Sequence, residues 1–295
     1  MEFRQLQAFC TVANTLSFTR AANMLGYAQS SITNQIQLLE NELDTKLFER
    51  LGKSIALTTE GECFLTYAKQ ILHLSLEGKE AVSGSTSPKG SITIGAPESL
   101  CVLRLPLLLQ EYRKRYPHVK ISLKTGTCSE FDYWLRTHLI DIAFFLQPEA
   151  SHPELITHTL FRDPMVIAAS ADHPLITKGS IQPTDLHGET LILSESGCSY
   201  RVILENMLAT AGVYPASILE FSSVSAMKQC AISGLGITLL PQLAVTAEIA
   251  TGQLVNLNWV GPDFNISAQV AYHKDKWLSP ALAAFFKLTT EILKS

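Results

Sequence analysis

The sequence predicts an α+β protein in which a small helical N-terminal module precedes a larger α/β region with two lobes. Residues 1–82 show helical periodicity, apart from one short strand-like run at 54–57. The next segment, SGSTSPKG at 83–90, consists of small polar residues, Gly and Pro, and is typical of a linker. From residue 91 onward, short β-rich runs alternate with helical stretches, which indicates a mostly parallel sheet packed against helices.

The β-rich runs after the linker fall into two groups. The first group lies at 91–96, 119–125 and 141–146, and the second at 164–170, 190–194, 216–221 and 236–241. A late strand at 266–273 precedes a closing helix at 279–293, so we expect the chain to return to the first lobe at its end. Clefts between such lobes, outside the carboxyl ends of the strands, commonly bind small ligands.

Length and composition exclude several classes of protein. At 295 residues and 46% hydrophobic content, the chain is long enough for two or three domains. The nearest approach to a membrane-spanning run, 100–109, is short and contains Arg104 and Pro106, and the N-terminus does not resemble a signal peptide. The six cysteines include no Cys-x-x-Cys. We therefore expect reduced thiols, a cytoplasmic location, and neither a metal nor a cofactor.

Two short apolar stripes at helical spacing flank a glycine. The first stripe comprises Phe18, Ala21, Ala22 and Leu25, and the second comprises Ile32, Ile36 and Leu39. Gly26 permits the positive φ that ends a helix sharply. The pattern predicts a helix-turn-helix, and the alternative is an ordinary helical hairpin within a bundle.

The outward face of the second helix is uncharged and rich in hydrogen-bonding groups. It carries short amides and hydroxyls that can reach base edges and phosphates: Gln29, Ser30, Ser31, Thr33, Asn34 and Gln35. No acidic residue occurs from Phe3 to Leu39. Arg20, together with Arg50 and Lys53 in a predicted wing, is expected to hold phosphates. The first 58 residues are neutral overall, so useful DNA affinity would require two or more copies.

The run FTRAANMLGYAQSSITNQIQLLENELDTKLFER, followed by ALTTEG, resembles the N-terminal module of the LysR-type transcriptional regulators. The resemblance continues in GSITIGA, RLPLLLQEYRKRYP, DIAFF, ADHPL and SGLGITLLP, so it extends over almost the whole chain. Two positions depart from the family pattern. Ala28 stands where a capping serine is common, so Ser30 is expected to cap the helix. Asn34 stands where Arg or His is frequent, which removes one DNA contact from each subunit.

The resemblance implies a winged helix-turn-helix DNA-binding domain at 1–58, a dimerisation linker helix and hinge at 59–90, and an effector-binding domain at 91–295. The last would be similar to periplasmic binding proteins, with lobe I at about 91–163 and 267–295 and lobe II at about 164–266. The implied partners are double-stranded promoter DNA, a small-molecule effector and further copies of the chain in a homodimer or homotetramer. RNA polymerase is a candidate partner, and no enzyme activity is expected.

The linker helix has one apolar stripe and no partner within its own module. Thr59 and Glu62 have the spacing of a capping box, and Phe64, Ala68, Ile71, Leu72 and Ser75 follow at helical spacing. The resemblance implies that this helix pairs antiparallel with its twin. The alternative is packing on the chain's own effector lobe.

Polar residues at four strand-to-helix turns are the candidate effector site. They are Ser99, Thr127, Cys128, Ser129, Ser196, Cys198, Ser199, Arg201 and Ser223. Such turns present backbone N–H groups and hydroxyls at helix N-termini, and Arg201 could add a bidentate clamp, so an anionic effector is expected. Helix capping is the simpler role for any one of these residues.

Two other functions were considered. Cys198, with Arg201 nearby, could be a redox-sensing thiol, although Cys230 lies 32 residues away in a helical segment. Ser225 and Lys228 form an S-x-x-K motif, but an acylating enzyme would need an S-x-N element that is absent and a K-T-G after the motif rather than before it. The sequence does not identify the effector, the operator or the direction of regulation.

Overall fold

The computed structural model describes residues 1–51, 54–82, 87–150 and 152–294, and the chain divides into two compact units. The first unit contains the helices and the hairpin that precede the linker. Their bounds are α1 Phe3–Thr15, α2 Phe18–Leu25, α3 Gln29–Glu42, β1 Phe48–Leu51, β2 Ser54–Leu57 and α4 Thr59–Val82.

The predicted helix-turn-helix is present as α2 and α3. The Ser17 hydroxyl accepts a hydrogen bond from Arg20 N–H at the start of α2, and Gly26, with φ of 71°, ends that helix. Ala21 and Ala22 are fully buried, so the helices can approach closely, and Ile32 of α3 fills the space between them. Small residues at the crossing and a glycine at the turn therefore define the motif.

The hairpin and α4 are attached to the helices by specific contacts. Strand β1 pairs antiparallel with β2, from Phe48 opposite Leu57 to Leu51 opposite Ser54. Thr58 Oγ1 accepts from Gly61 N–H at 2.9 Å and donates to the Lys46 carbonyl at 2.6 Å. Thr58, not Thr59, therefore caps α4, and the predicted Thr59 capping box is wrong.

The second unit contains two five-stranded sheets. The first sheet has the order β4-β3-β5-β12-β6, and α5, α6, α7 and α11 belong to the same lobe. The bounds are β3 Gly90–Gly95, α5 Glu98–Leu103, α6 Leu105–Arg115, β4 Val119–Lys124, α7 Cys128–Arg136, β5 Ile142–Gln147, β6 Leu155–Arg162, β12 Ser267–His273 and α11 Pro280–Leu293. Because β12 pairs with β5 and β6, the chain returns to the first lobe at its end, as expected.

The second sheet has the order β11-β7-β10-β8-β9. Its elements are β7 Met165–Ser170, β8 Thr190–Ser194, α8 Ser199–Thr210, β9 Ser217–Phe221, α9 Val224–Ile232, β10 Ile237–Pro241, α10 Gln242–Ala250 and β11 Leu254–Asn256, with short 3₁₀ turns at Pro174–Lys178 and Pro183–Leu186. Strands β8, β9 and β10 pair in parallel, so β8 and β9 direct their carboxyl ends toward the starts of α8 and α9. No helix in the described part of the chain is long and apolar enough to cross a membrane.

Candidate nucleic-acid interface and ligand cavity

The outward face of α3 is polar and exposed. Gln29, Ser30, Ser31 and Asn34 are all exposed, as predicted. Thr33 is partly buried, and its hydroxyl donates to the Gln29 carbonyl at 3.0 Å. The first two turns of α3 therefore present uncharged hydrogen-bonding groups to solvent.

Gln35 does not belong to this outward face. It lies three residues after Ile32 and four before Leu39, both fully buried, so it borders the apolar stripe of the helix. Its side chain is partly buried, and Oε1 is buried with no hydrogen-bond partner among the described residues. Gln35 is therefore less accessible than the sequence predicts, because its position around the helix places it next to the apolar stripe.

The N-terminus of α3 has no side-chain cap. Ala28 is the N-cap residue, and no side chain accepts a cap hydrogen bond there, so the expectation that Ser30 would cap the helix is wrong. Ser30 lies inside the first turn, past the position from which a hydroxyl caps. The amide N–H groups of this turn are therefore available to a phosphate, which the helix dipole also favours.

Two neighbours orient polar groups beside this helix end. Thr19 Oγ1 donates to Gln29 Oε1 at 3.5 Å, which leaves the Gln29 amide N–H groups as free donors. Arg20 is exposed, and its Nη2 donates to the Thr15 carbonyl at 2.7 Å, so the guanidinium is held in place while its other N–H groups face solvent. Arg20 is thus suited to a phosphate.

The wing residues are only partly covered by the structure. Arg50 pairs with Ile55 in the β1–β2 ladder, but its side chain lies outside the described residues, as does the whole of Lys53. Their assignment to phosphate contacts stays a prediction.

A cavity of about 310 Å³ lies in the second unit, between the elements of its two sheets. Ser99, Thr127 and Cys128 line it from the first lobe, and Cys198 lines it from the second. Four of the nine candidate effector residues are therefore brought together, although they come from turns up to 99 residues apart in the sequence.

The remaining candidates have other contacts. Ser129 Oγ lies 3.1 Å from Thr127 Oγ1, Ser196 Oγ donates to Glu220 at 3.3 Å, and Ser223 Oγ accepts from Ala226 N–H at the start of α9. Ser199, the first residue of α8, forms a hydrogen bond with the Cys128 thiol. None of the four lines the cavity.

Arg201 is not an effector clamp. It is buried at 8% exposure, where Nε donates to Glu205 at 2.7 Å and Nη1 donates to the Ser194 carbonyl at 2.6 Å and pairs with Glu220. Arg201 does not line the cavity, and its Nε and Nη1 groups are engaged within the second lobe. The predicted bidentate contact with an effector is therefore wrong.

Three carboxylates that the sequence analysis did not select line the cavity. Glu98 Oε2 accepts from Val224 N–H at 3.1 Å, and Glu130 Oε2 accepts from Thr127 N–H at 2.8 Å. The third is Glu195. A signal was available for Glu130, because T-x-x-E at 127–130 is a capping box. Glu98 and Glu195 directly precede the candidates Ser99 and Ser196, but only the tertiary fold shows that both line the cavity.

These carboxylates disfavour an anionic effector. Glu98 accepts from the first N–H of α9, and Glu130 accepts from Thr127 N–H just before α7, so acidic side chains lie where the sequence predicts open N–H groups; the start of α8, at Cys198, has no side-chain cap. The described lining contains no Lys, Arg or His. An anion would enter beside negative charges with no positive partner, which is unfavourable in a partly enclosed site.

The cysteines give no support to a redox centre. All six are free, and burial raises the pKa of the Cys128 thiol, while a hydrogen bond from Ser199 acts in the opposite direction. Cys230 packs against the apolar core of the second sheet. Arg201, the reason for suspecting an activated Cys198, is already paired with two glutamates.

The S-x-x-K motif has a structural role. Lys228 Nζ pairs with Glu248 Oε1 at 2.6 Å, joining α9 to α10, and Ser225 is exposed on the first turn of α9. Lys228 thus contacts Glu248, and no hydrogen bond joins it to Ser225 among the described residues, so the pair lacks the contact through which a base activates a serine.

Comparison with known proteins identifies the family. A family model described as "Bacterial regulatory helix-turn-helix protein, lysR family" matches residues 3–62, and one described as "LysR substrate binding domain" matches residues 85–294. The chain belongs to the LysR family of transcriptional regulators. It is therefore a DNA-binding regulator with an effector-binding domain, in a family of regulators rather than of enzymes.

Individual relatives of this LysR-family chain match it over nearly its full length. The HTH-type transcriptional regulator YwqM of Bacillus subtilis strain 168 is 42% identical over 295 residues, which cover 100% of both chains. Among solved structures, full-length OxyR from Pseudomonas aeruginosa has a TM-score of 0.72 at 22% identity, covering 99% of this chain and 94% of that one. CbnR complexed with its target DNA has a TM-score of 0.69 at 25% identity, covering 99% of each chain. The OxyR likeness concerns the fold alone.

Proposed function

We propose that this LysR-family regulator reads promoter DNA with the first two turns of α3, and that a small molecule in the cavity of the second unit controls its activity. The observation that carries the proposal is the exposed, acid-free face formed by Gln29, Ser30, Ser31 and Asn34. Amides and hydroxyls at this position can hydrogen-bond to base edges in the major groove. An ordinary solvated helix face would mix Glu and Lys instead.

Phosphate contacts would fix the register of α3 on the duplex. The uncapped N-terminus of α3 offers backbone N–H groups, and Arg20 offers a positioned guanidinium. Arg50 and Lys53 are proposed to add contacts from the wing. The CbnR structure bound to its target DNA has the same fold over 99% of this chain, which supports a comparable mode of docking.

Self-association would supply the affinity that one neutral module lacks. The α4 stripe that is expected to lack a partner in its own module packs on that module instead: Ala68 is fully buried, and Phe64, Ile71 and Leu72 contact the same core. Other large apolar side chains of α4 remain exposed in the single chain, among them Tyr67, Leu74 and Val82, which lie within about 80° of one another around the helix axis. Pairing of two α4 helices would bury these groups and place two copies of α3 on one DNA. We propose a homodimer built on α4, assembled in the cell into a homotetramer.

The test is binding of the full-length protein to the DNA upstream of its own coding region and of the adjacent gene. Footprinting at low ionic strength should show two protected half-sites. Asn34→Asp should weaken binding by about tenfold or more, because it places a negative charge against the phosphates. Asn41→Asp, at the exposed far end of α3, is the matched control and should change binding far less.

Two results would contradict this function. One is the absence of any protected sequence at low ionic strength, and the other is equal binding by the Asn34→Asp variant and the parent protein. A strictly monomeric protein in solution would contradict the role proposed for α4.

A further inference from the structure

The charge of the cavity lining is entirely negative. Glu98 and Glu130 contribute from the first lobe and Glu195 from the second, and the described residues that line the cavity include no basic side chain. Arg201, a buried cation of the second lobe, is paired with Glu205 and Glu220. Lys178 and Lys228 of the same lobe are paired with Asp185 and Glu248, so each Lys and Arg in the described part of this lobe already has a carboxylate partner.

Glu195 differs from the other two carboxylates. Glu98 and Glu130 each accept a backbone hydrogen bond, whereas the Glu195 carboxylate has no hydrogen bond or ion pair among the described residues. Partial burial and the nearby charges of Glu130 and Glu220 raise the pKa of Glu195. Each of these causes disfavours the carboxylate anion, whereas a cation bound beside Glu195 would stabilise it.

A second feature of the cavity points independently to a ligand. Ser194 at the end of β8 is nine-tenths buried and is one of the residues that line the cavity; its Oγ interacts with the Tyr200 phenol but meets the geometry of a full hydrogen bond with no described residue. Buried hydroxyls are nearly always satisfied. This oxygen could accept a hydrogen bond from an N–H group of a ligand.

Apolar side chains form a further part of the wall, beside the hydroxyl-bearing residues Ser99, Thr125, Thr127 and Ser222. Leu146, Phe221, Val224 and Met227 line the cavity together with the ring of Tyr200. A volume of about 310 Å³ accommodates a small organic molecule. The aromatic rings also suit a cation, because their faces are negative.

We propose that the effector is a small organic cation, with an ammonium or guanidinium group held by Glu195 and the Ser194 hydroxyl and an apolar body against Leu146, Phe221 and Met227. The effector role rests on the proposed function, but the charge preference of the cavity is a property of the second unit. The two can therefore fail separately.

Charged thiol reagents test the preference directly, because Cys198 lines the cavity. The probes are two methanethiosulfonates, one carrying a trimethylammonium group and the other a sulfonate. Their rates at Cys198 are followed in the full-length protein by peptide mass mapping, and the ratio of the two rates is divided by the same ratio for N-acetylcysteinamide. We expect the normalised ratio to favour the cation by about tenfold or more, since a charged cleft concentrates counter-ions.

A matched pair of variants assigns the effect. Glu195→Gln keeps the shape of the side chain and removes its charge, and it should reduce the preference for the cationic reagent severalfold. Asp172→Asn removes an exposed charge of the same lobe outside the cavity lining and should leave the ratio unchanged. A normalised ratio of one or below, or no reaction of either reagent at Cys198, would overturn the proposal.

A binding arm uses three isosteres: phenethylammonium, phenethyl alcohol and 3-phenylpropionate. At about 10 mM, a concentration that detects weak binding, only the ammonium should slow labelling of Cys198, and Glu195→Gln should abolish this protection. Protection by the carboxylate alone, or by none of the three, would contradict a cation site. Binding to upstream DNA, measured in parallel without these compounds, reports on the regulator function, so its loss would leave the charge preference intact.

Discussion

The Glu98 carboxylate accepts a hydrogen bond from the backbone N–H of Val224 at 3.1 Å. The two residues are 126 positions apart in the sequence, and they join the start of α5 in one lobe to the first turn of α9 in the other. This bond crosses the cavity. Any effector must therefore either fit beside it or replace it, and the bond links the two lobes directly.

Removing this bond should loosen the second lobe at α9. In Glu98→Ala the Val224 N–H loses its partner, at a cost of about 1 kcal/mol, and its amide should exchange with solvent about fivefold faster. Glu98→Gln keeps an acceptor oxygen and should retain most of the protection. Hydrogen exchange read by mass spectrometry over residues 221–230 provides the measurement. Identical exchange in the alanine variant and the parent would show that the bond does not hold the cleft.

Glu40 is a structural residue of the DNA-binding unit. It is buried at 6% exposure and accepts from Leu47 N–H at 2.9 Å, from Phe48 N–H at 3.3 Å and from Lys46 Nζ at 2.7 Å. Glu40→Ala leaves two buried amides unsatisfied and should lower the free energy of unfolding of this unit by about 2–3 kcal/mol. Protection of the α1 and α3 amides against hydrogen exchange would report the loss.

The control for Glu40 is Glu49→Ala, which removes an exposed carboxylate from β1. It should change the unfolding free energy by less than about 0.5 kcal/mol. If both variants lost equal stability, the hydrogen bonds of Glu40 would not be the cause.

Apolar periodicity was sufficient to predict the helix-turn-helix and the two lobes. Ala21, Ala22 and Ile32 are buried as expected, because helical spacing and side-chain size are local properties of the sequence. The return of β12 to the first sheet was also predicted. Strand β6 was missed: LITHTLFR, at Leu155–Arg162, alternates weakly and lies at the edge of the sheet, where one side of the ladder is open.

The candidate site was harder to predict, because it depends on contacts between distant segments. Serines at the turns were correctly linked to helix starts, but several of them only cap or contact neighbouring groups. Arg201 was chosen for its charge, yet it is satisfied by Glu205, Glu220 and a carbonyl oxygen. Burial and partner satisfaction decide whether a charged residue can meet a ligand, and neither is visible in the sequence.

Gln29 and Arg20 should affect DNA binding in different ways. Gln29→Ala removes amide donors that we propose read base edges, and it should reduce the preference for the operator over other DNA by about 1–3 kcal/mol. Arg20→Ala should weaken binding to all sequences alike and lower the slope of affinity against salt concentration by about one unit per subunit. Titrations against operator and scrambled DNA at several salt concentrations separate the two. Equal losses on every sequence for both variants would contradict the role of Gln29.

The thiols of Cys10 and Cys101 should react slowly, because both are largely buried. Burial raises the pKa of Cys10 and of Cys101 to about 11. At pH 8 only about one thiol in a thousand is then ionised at each site, so a disulfide reagent should label them about a hundredfold more slowly than an unperturbed exposed thiol. Their rates should rise about tenfold per pH unit up to about pH 10, because only the thiolate reacts. Rapid labelling of either at pH 8 would contradict this burial.

The same protein samples test the thiol-sensing alternative. Arg201 is not free to activate the Cys198 thiol, because its guanidinium is paired with Glu205 and Glu220. We therefore expect hydrogen peroxide to leave both the mass of the Cys198 peptide and the affinity for upstream DNA unchanged. The reagent's effect on the exposed Cys63 can be removed with Cys63→Ser, which leaves Cys198 intact. A mass increase at Cys198 accompanied by altered DNA affinity would instead support a regulator that responds to oxidation, and the cavity carboxylates would then need another role.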